Sequence, residues 1–177
     1  DVMRREGVDY RGVLYAGIIL TPAGPKVLEF NCRFGDPETQ PLMARFNGDL
    51  VDVLWRTAAG ELNGAEISFD DNVANCVVMC SEGYPGTYAK KKSITGIEDA
   101  ESNKDIVVFH AGTNCSSGKL LTSGGRVLGV TAVASDIETA QKRANAACEK
   151  IHFDGAFWRK DIGSKTSNVK ATCDFAE

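Results

Sequence analysis

Two apolar segments joined by a short turn constrain the fold of this chain more than any other feature. The first is GVLYAGIIL (residues 12–20), the second is KVLEF (residues 26–30), and TPAGP lies between them. β-Branched and aromatic residues favour strands, whereas proline and glycine favour tight turns. The pattern therefore predicts a β-hairpin near the start of the sequence.

Helical spacing follows the hairpin in two segments, TQPLMARF (39–46) and DLVDVLWRTAAGEL (49–62). In the second segment Asp49 is a suitable N-cap residue and Gly60 marks the expected end of the helix. Its leucines and valines recur at a spacing that places them along one face. We therefore predict two helices between the hairpin and residue 62.

The second half has a different pattern, and residues 63–72 mark a boundary or a long connection. Four short segments have strand character: ANCVVMC (74–80), KKKSITG (90–96), DIVVFHAGT (105–113) and KLLTSGGRVLGVTAVA (119–134). A single helix is predicted over residues 136–151, with Asp136 or Ser135 as its cap and an alanine-rich face. The chain is therefore predicted to be α+β, with a second half formed by a small, mostly antiparallel sheet covered by one helix.

Composition excludes several classes of function. The formal net charge is -4, which disfavours a nucleic-acid-binding surface. No segment approaches the roughly 18 consecutive apolar residues of a membrane-spanning helix. The six cysteines are scattered and form no C-x-x-C pair, which is typical of reduced thiols in a cytoplasmic protein. We expect no nucleic-acid partner and no membrane partner.

Polar side chains are concentrated where the second strand of the hairpin ends, in KVLEFNCRFGDPETQP (26–41). Side chains alternate along a strand, so Glu29 and Asn31 are expected on one face. A carboxylate and an amide oxygen side by side suit Mg²⁺, which keeps water or phosphate oxygens as its other ligands. Arg33 is placed to stabilise developing negative charge, and the turn that follows can present Asp36 and Glu38.

Two of these patterns have a simpler structural interpretation. The segment around Glu29 and Asn31 is also consistent with a polar strand edge whose acids pair with Arg33 and face solvent. SGGRVLGV (123–130) contains two glycines that allow close backbone approach and an arginine, Arg126, that could reach a phosphate. The same residues are consistent with a β-bulge or tight turn that carries a solvated arginine.

Five segments of the chain together resemble one family. VLYAGIILTPAGPKVLEFNCRFGDPETQP (13–41) resembles the C-terminal part of the ATP-grasp domain of glycinamide ribonucleotide synthetases, the phosphoribosylamine–glycine ligases. Four later segments are similar to the same family in the same order: GYPGTY, VFHAGT, TSGGRVLGVTAVA and IHFDGAFWRKDIG. The resemblance extends over residues 10–163.

The resemblance implies an activity and its ligands. In this family ATP phosphorylates glycine, and the amine of 5-phosphoribosylamine attacks the resulting glycyl phosphate. The products are glycinamide ribonucleotide, ADP and phosphate, in de novo purine biosynthesis. ATP is the co-substrate, and Mg²⁺ or Mn²⁺ is the cofactor. A carboxylate and a triphosphate are both anions and must approach each other, so a divalent cation together with Arg33 offsets their repulsion.

The resemblance also implies roles for individual residues. Glu29 and Asn31 match the metal ligands that bridge to the ATP phosphates. Arg33 matches a catalytic position that stabilises the transferred phosphoryl group or the acyl phosphate. Asp36 and Glu38 are expected to bind the ammonium of glycine or the amine of the sugar phosphate.

Three further positions are assigned in the same way. Arg126 is expected to bind substrate, and Ile19 and Leu28 are expected near adenine, although core packing also suits both. Many ATP-grasp proteins carry another metal-binding acid on the preceding strand, where residues 15–19 of this chain contain none.

The family has parts that this sequence lacks, namely a glycine-rich lid and an N-terminal α/β domain. We therefore expect these regions elsewhere on the same polypeptide, and we expect the chain to be inactive alone. The predicted division is the end of an ATP-grasp domain (1–62), a small closing domain (63–163) and a polar tail or linker (164–177). The alternative is a non-catalytic nucleotide–metal or protein-interaction module.

Overall fold

The computed structural model describes residues 2–165. Within this range, the residues up to Thr39 form one compact unit together with Phe46–Asp70. A second unit contains Gln40–Arg45 and the residues from Asp71 onward. No helix in the described range combines the length and the apolar character needed to cross a membrane.

The predicted hairpin is confirmed as the main feature of the first unit. The unit contains these elements in chain order: α1 (Val2–Arg5), β1 (Tyr15–Thr21), β2 (Gly24–Asn31), the start of α2 (Thr39–Arg45), β3 (Phe46–Asn47), α3 (Leu50–Ala59) and β4 (Ser68–Phe69). β1 and β2 are antiparallel, with Tyr15 opposite Asn31 and Thr21 opposite Gly24. The Thr21 hydroxyl donates to the Gly24 carbonyl oxygen across the turn, at 2.8 Å.

A register irregularity interrupts the hairpin at its centre. Gly17 pairs with Glu29, whereas the next residue, Ile18, pairs with Val27. Leu28 is therefore the extra residue of a β-bulge, which re-aims the end of β2. The residues that follow the bulge are the polar ones singled out in the sequence.

Helix α3 confirms both of its predicted ends. The Asp49 carboxylate accepts hydrogen bonds from the backbone N–H groups of Val51 and Asp52, at 2.9 and 3.0 Å. Gly60 has a left-handed backbone with φ 78°, and its N–H group donates to carbonyl oxygens of the last turn. An N-cap carboxylate and a left-handed glycine satisfy the backbone groups that a helix leaves unpaired at its ends.

The second unit has a four-stranded antiparallel sheet, which confirms the α+β class. The remaining elements are β5 (Val73–Ser81), α4 (Ile97–Glu101), β6 (Ile106–His110), β7 (Thr113–Ser116), β8 (Lys119–Thr122), β9 (Arg126–Ala134), α5 (Ile137–Cys148) and β10 (Ala156–Phe157). The strand order is β10-β5-β9-β6, and β7 and β8 form a separate hairpin.

Asp136 is the N-cap residue of helix α5, which settles the choice between Asp136 and Ser135. The Asp136 carboxylate accepts the Thr139 N–H at 2.8 Å. The buried face of α5 carries Ala140, Ala144, Ala147 and Cys148. Ala144, Ala147 and Cys148 belong to one apolar core with four fully buried residues of the sheet, Val77, Met79, Leu128 and Val130. This close packing is the main source of stability of the unit.

One local prediction in the second unit was wrong, and one short helix was not predicted. KKKSITG (90–96) is not a strand, because only the single bridges of Ser93 with Leu121 and of Thr95 with His152 form there. Lys91 and Gly96 have positive φ values of 64° and 84°, which break an extended backbone. The short helix α4, which starts after Gly96 and lies beside β6, was not predicted.

Candidate functional site

The end of β2 brings Glu29 and Asn31 together. The Asn31 side-chain amide donates to a carboxylate oxygen of Glu29 at 2.9 Å. The two residues lie on the same face of the strand, as alternation requires. Glu29 is exposed and Asn31 is half-buried, so a ligand can reach the pair from solvent.

The donor set of this pair fits a hard divalent cation. Such an ion prefers oxygen ligands, and the pair offers the carboxylate oxygens of Glu29 and the amide oxygen of Asn31, on side chains that are already in contact. Within residues 2–165, no group of three or more His, Cys, Asp or Glu side chains could hold a metal. An ion bound by Glu29 and Asn31 would therefore need most of its ligands from water or phosphate.

A second contact lies at the same end of the hairpin. The Tyr15 hydroxyl, on β1, donates to a carboxylate oxygen of Glu38 at 3.0 Å. This hydrogen bond is the main reason that the pKa of Tyr15 is raised, with burial and the negative charges of Glu38 and Glu29 adding to it. The guanidinium of Arg33 opposes the shift of the pKa. Tyr15 therefore remains a neutral hydrogen-bond donor at physiological pH.

Two glycines provide the space for Tyr15 and its neighbours. A Cβ atom on Gly35 would lie 2.3 Å from the Glu38 Oε2 atom and 3.0 Å from the Tyr15 ring. A Cβ atom on Gly17 would lie 3.2 Å from the Glu29 Cγ atom and 3.5 Å from the same ring. The phenol ring thus lies beside both glycines, with one acidic side chain near each of them.

The loop after β2 is closed by backbone contacts. Both the amide and the hydroxyl of Thr39 donate to the Gly35 carbonyl oxygen, the amide at 3.2 Å. Glu38 lies in the turn just before α2, with its carboxylate beside Gly35. Asp36 lies in the same loop and is exposed.

Arg33 is exposed, and its Nη1 atom donates to the Phe34 carbonyl oxygen at 2.7 Å. The acids on either side of it have other partners, since Glu29 accepts from Asn31 and Glu38 accepts from Tyr15. The arrangement therefore differs from the alternative in which these acids pair with Arg33. The remaining N–H groups of Arg33 can donate to a ligand.

Ile19 and Leu28 are exposed, with 47% and 69% of their surface accessible. The alternative that assigned both residues to core packing was therefore wrong in the structure described. Their role near adenine stays a prediction.

Arg126 lies in the second unit, at the start of β9, where it pairs with Cys80. A register irregularity at this point confirms a β-bulge. The glycines before it allow close approach within the unit: a Cβ atom on Gly125 would lie 2.2 Å from the Tyr84 ring, and one on Gly124 would lie 3.0 Å from the Gly112 Cα. Packing explains this glycine pair, and substrate binding by Arg126 stays a prediction.

Tyr15 is the residue that sequence reasoning missed. The available signal was its spacing, because Tyr15 and Gly17 are two residues apart and lie opposite Asn31 and Glu29. Recognising this requires the register of the hairpin, which the turn sequence alone does not fix.

The fold is that of an ATP-grasp protein. Residues 1–39 match the family profile described as phosphoribosylglycinamide synthetase, ATP-grasp (A) domain. Residues 74–165, more than half of the chain, match the profile of the phosphoribosylglycinamide synthetase C domain. The chain therefore belongs to the phosphoribosylglycinamide synthetase family.

Individual relatives agree with this assignment. The chain is 51% identical over 164 residues to a phosphoribosylamine–glycine ligase of Rhodopirellula baltica, and the match covers 92% of this chain and 38% of that protein. It is also 51% identical to the trifunctional purine biosynthetic protein adenosine-3 of Gallus gallus, of which it covers 16%. The crystal structure of a Thermotoga maritima phosphoribosylamine–glycine ligase superposes with a TM-score of 0.76 at 34% identity, over 90% of this chain and 39% of that one. The chain thus spans less than two fifths of the length of these relatives.

Proposed function

We propose that this chain supplies the metal-binding wall and the closing domain of an ATP-dependent ligase. The reaction joins glycine to 5-phosphoribosylamine and gives glycinamide ribonucleotide, ADP and phosphate, by way of glycyl phosphate. The observation that carries the proposal is the Glu29–Asn31 pair, with Arg33 two residues further on, in a chain of this family.

The metal site is assigned to Glu29 and Asn31, with Mg²⁺ or Mn²⁺ as the ion. The bound cation would neutralise charge on the ATP phosphates and on the carboxylate that receives the phosphoryl group. Arg33 has unused donors near this pair and is assigned to stabilise the transferred phosphoryl group. Both roles depend on oxygen anions approaching the exposed end of β2.

The remaining assignments follow from charge and exposure. Asp36 and Glu38 are proposed to bind the substrate amines, and Arg126 is proposed to bind an anionic part of a substrate. Ile19 and Leu28 present exposed apolar side chains to which adenine could bind.

The proposed division of the chain is residues 1–62 for the ATP-grasp part, 63–163 for the closing domain and 164–177 for a tail or linker. Of the tail, residues 166–177 lie outside the described residues. The glycine-rich lid and the N-terminal domain of the relatives are proposed to come from the same polypeptide, in the cytoplasm.

The proposal is tested with a chimeric ligase. In it, this chain replaces the matching part of the Rhodopirellula baltica relative, which is 51% identical. The chimera should release ADP only when ATP, glycine and 5-phosphoribosylamine are all present. Glu29→Gln should reduce the rate by at least about 100-fold, because the change removes the negatively charged member of the proposed ligand pair.

Glu61→Gln is the matched control, because Glu61 is an exposed acid of the same unit, beyond the C-cap of α3. It should leave the rate unchanged. A folded chimera that fails to release ADP with all three substrates would contradict the proposed function. Equal rates in the two glutamine variants would contradict the metal assignment.

A further inference from the structure

We propose that Tyr15 is a positioning residue: its hydroxyl holds Glu38 so that Glu38 and Arg33 together receive a zwitterionic amino acid, the ammonium on Glu38 and the carboxylate on Arg33. This inference rests on the proposed function, because it assigns the glycine of that reaction to a place on this chain.

The first support is the direction of the Tyr15–Glu38 contact. Tyr15 donates to Oε1 of Glu38 at 3.0 Å, and Glu38 is exposed. A phenol that occupies one carboxylate oxygen leaves the other oxygen able to accept a hydrogen bond from an ammonium group. The hydrogen bond also restricts the rotamers of an otherwise flexible glutamate, which lowers the entropy lost when a ligand binds.

The second support is the space that the chain reserves for this pair. Gly35 is buried, and its φ is outside the left-handed region, so its backbone conformation does not require glycine. The space around it does, since a Cβ atom would lie 2.3 Å from Glu38 Oε2 and 3.0 Å from the Tyr15 ring. At a glycine required only for packing, a side chain would clash with backbone or core atoms. At Gly35 a side chain would clash with the Glu38 carboxylate and with the Tyr15 phenol that holds it.

The third support is the position of Arg33. Arg33 is exposed in the loop that leads to Glu38, and its Nη1 atom donates to the Phe34 carbonyl oxygen at 2.7 Å. An anionic carboxylate next to a guanidinium matches the two charges of a small α-amino acid. The same arrangement places the amino-acid carboxylate on the side of Arg33, the residue assigned to phosphoryl transfer.

The experiment measures the KM for glycine and the KM for ATP in the chimeric ligase and three variants: Tyr15→Phe, Glu38→Gln and the double variant. Each single change should raise the glycine KM about 10-fold, because each removes a charge-assisted hydrogen bond or its support. The ATP KM should not change. The double variant should also raise the glycine KM only about 10-fold, because the effects of two residues that act as one unit are not additive.

Tyr88→Phe is the control, because Tyr88 lies in the second unit and its ring contacts are with Tyr84 and Lys90. It should leave both constants unchanged. A rise of about 100-fold in the glycine KM of the double variant would show that the two residues act independently, and it would overturn the positioning role of Tyr15. An equal rise of the ATP KM in Tyr15→Phe would show a general structural effect and would also overturn it.

A second measurement separates this inference from the proposed function. In the chain itself, the NMR chemical shifts of the Tyr15 ring should change in Glu38→Gln and stay the same in Glu61→Gln. Unchanged Tyr15 ring shifts in Glu38→Gln would overturn the Tyr15–Glu38 contact. A folded but inactive chimera would overturn the glycine assignment together with the proposed function, whatever the NMR comparison shows.

Discussion

Two neighbouring valines of β6 allow the core of the second unit to be tested quantitatively. Val108 is 6% exposed and belongs to the apolar core, whereas Val107 is 37% exposed on the other face of the strand. Valine to alanine removes the same atoms at both positions. Both variants lose the strand propensity of valine, so the difference between their free energies of unfolding reports the contribution of burial alone.

The expected cost follows from the atoms that are removed. Each buried methyl group is worth about 0.8 kcal/mol, and the cavity left behind adds to this, so Val108→Ala should cost about 2 kcal/mol. Val107→Ala should cost at most about 0.5 kcal/mol, as at most surface positions. In a unit of this size, a loss of about 2 kcal/mol corresponds to a fall of roughly 10 °C in Tm.

The assay is urea unfolding followed by tryptophan fluorescence. Trp55 lies in the first unit and Trp158 packs against the core of the second. Trp55 is 74% exposed, so Trp55→Phe provides a background in which the signal reports the second unit. Equal losses of stability in the two valine variants would refute the assignment of the inner face of β6 to the core.

Three further predictions concern single residues. Asp136→Ala should lower the Tm at neutral pH, as measured by thermal melts at a series of pH values. The backbone N–H of Thr139 holds the pKa of Asp136 below its usual value. The difference in Tm from wild type should therefore be largest at pH values above the usual pKa of an aspartate, and it should disappear as the pH falls through the lowered pKa of Asp136. Burial raises the pKa of the Cys148 thiol to about 12, so alkylation of the native protein followed by mass spectrometry should modify exposed Cys32 and leave Cys148 unmodified until the unit unfolds. Gly35→Ala should raise the glycine KM of the chimera about as much as Glu38→Gln does, because the new methyl group meets both the Glu38 carboxylate and the Tyr15 ring that holds it. An unchanged glycine KM would contradict the role given to the space beside Gly35.

Local signals account for the elements that the sequence predicted. The hairpin, α3 and α5 each carry a turn or cap residue beside a periodic apolar pattern, as Asp49 and Asp136 show. KKKSITG carries strand-forming residues, but its conformation depends on positive φ values at Lys91 and Gly96. These φ values are set by contacts with distant residues: a Cβ atom on Gly96 would lie 2.0 Å from the Lys150 carbonyl oxygen.

In the candidate site, too, residues placed by a local pattern were predicted, whereas a residue placed by tertiary structure was missed. Alternation along one strand was enough to place Glu29 beside Asn31. Tyr15 lies on the other strand, and its contact with Glu38 depends on the hairpin register, on a bulge at Leu28 and on the fold of the following loop. None of these three features is encoded in a local pattern, which is why the residue was missed.

The role of Glu29 as a metal ligand is tested by nucleotide binding to the chimeric ligase. A fluorescent ATP analogue is titrated at increasing Mn²⁺, and the Mn²⁺ concentration for half-maximal binding is compared among wild type, Glu29→Gln and Glu61→Gln. We expect an increase of at least about 10-fold for Glu29→Gln, since the anionic ligand of the ion is lost, and no change for Glu61→Gln. The same Mn²⁺ requirement in all three proteins would contradict the assignment of Glu29.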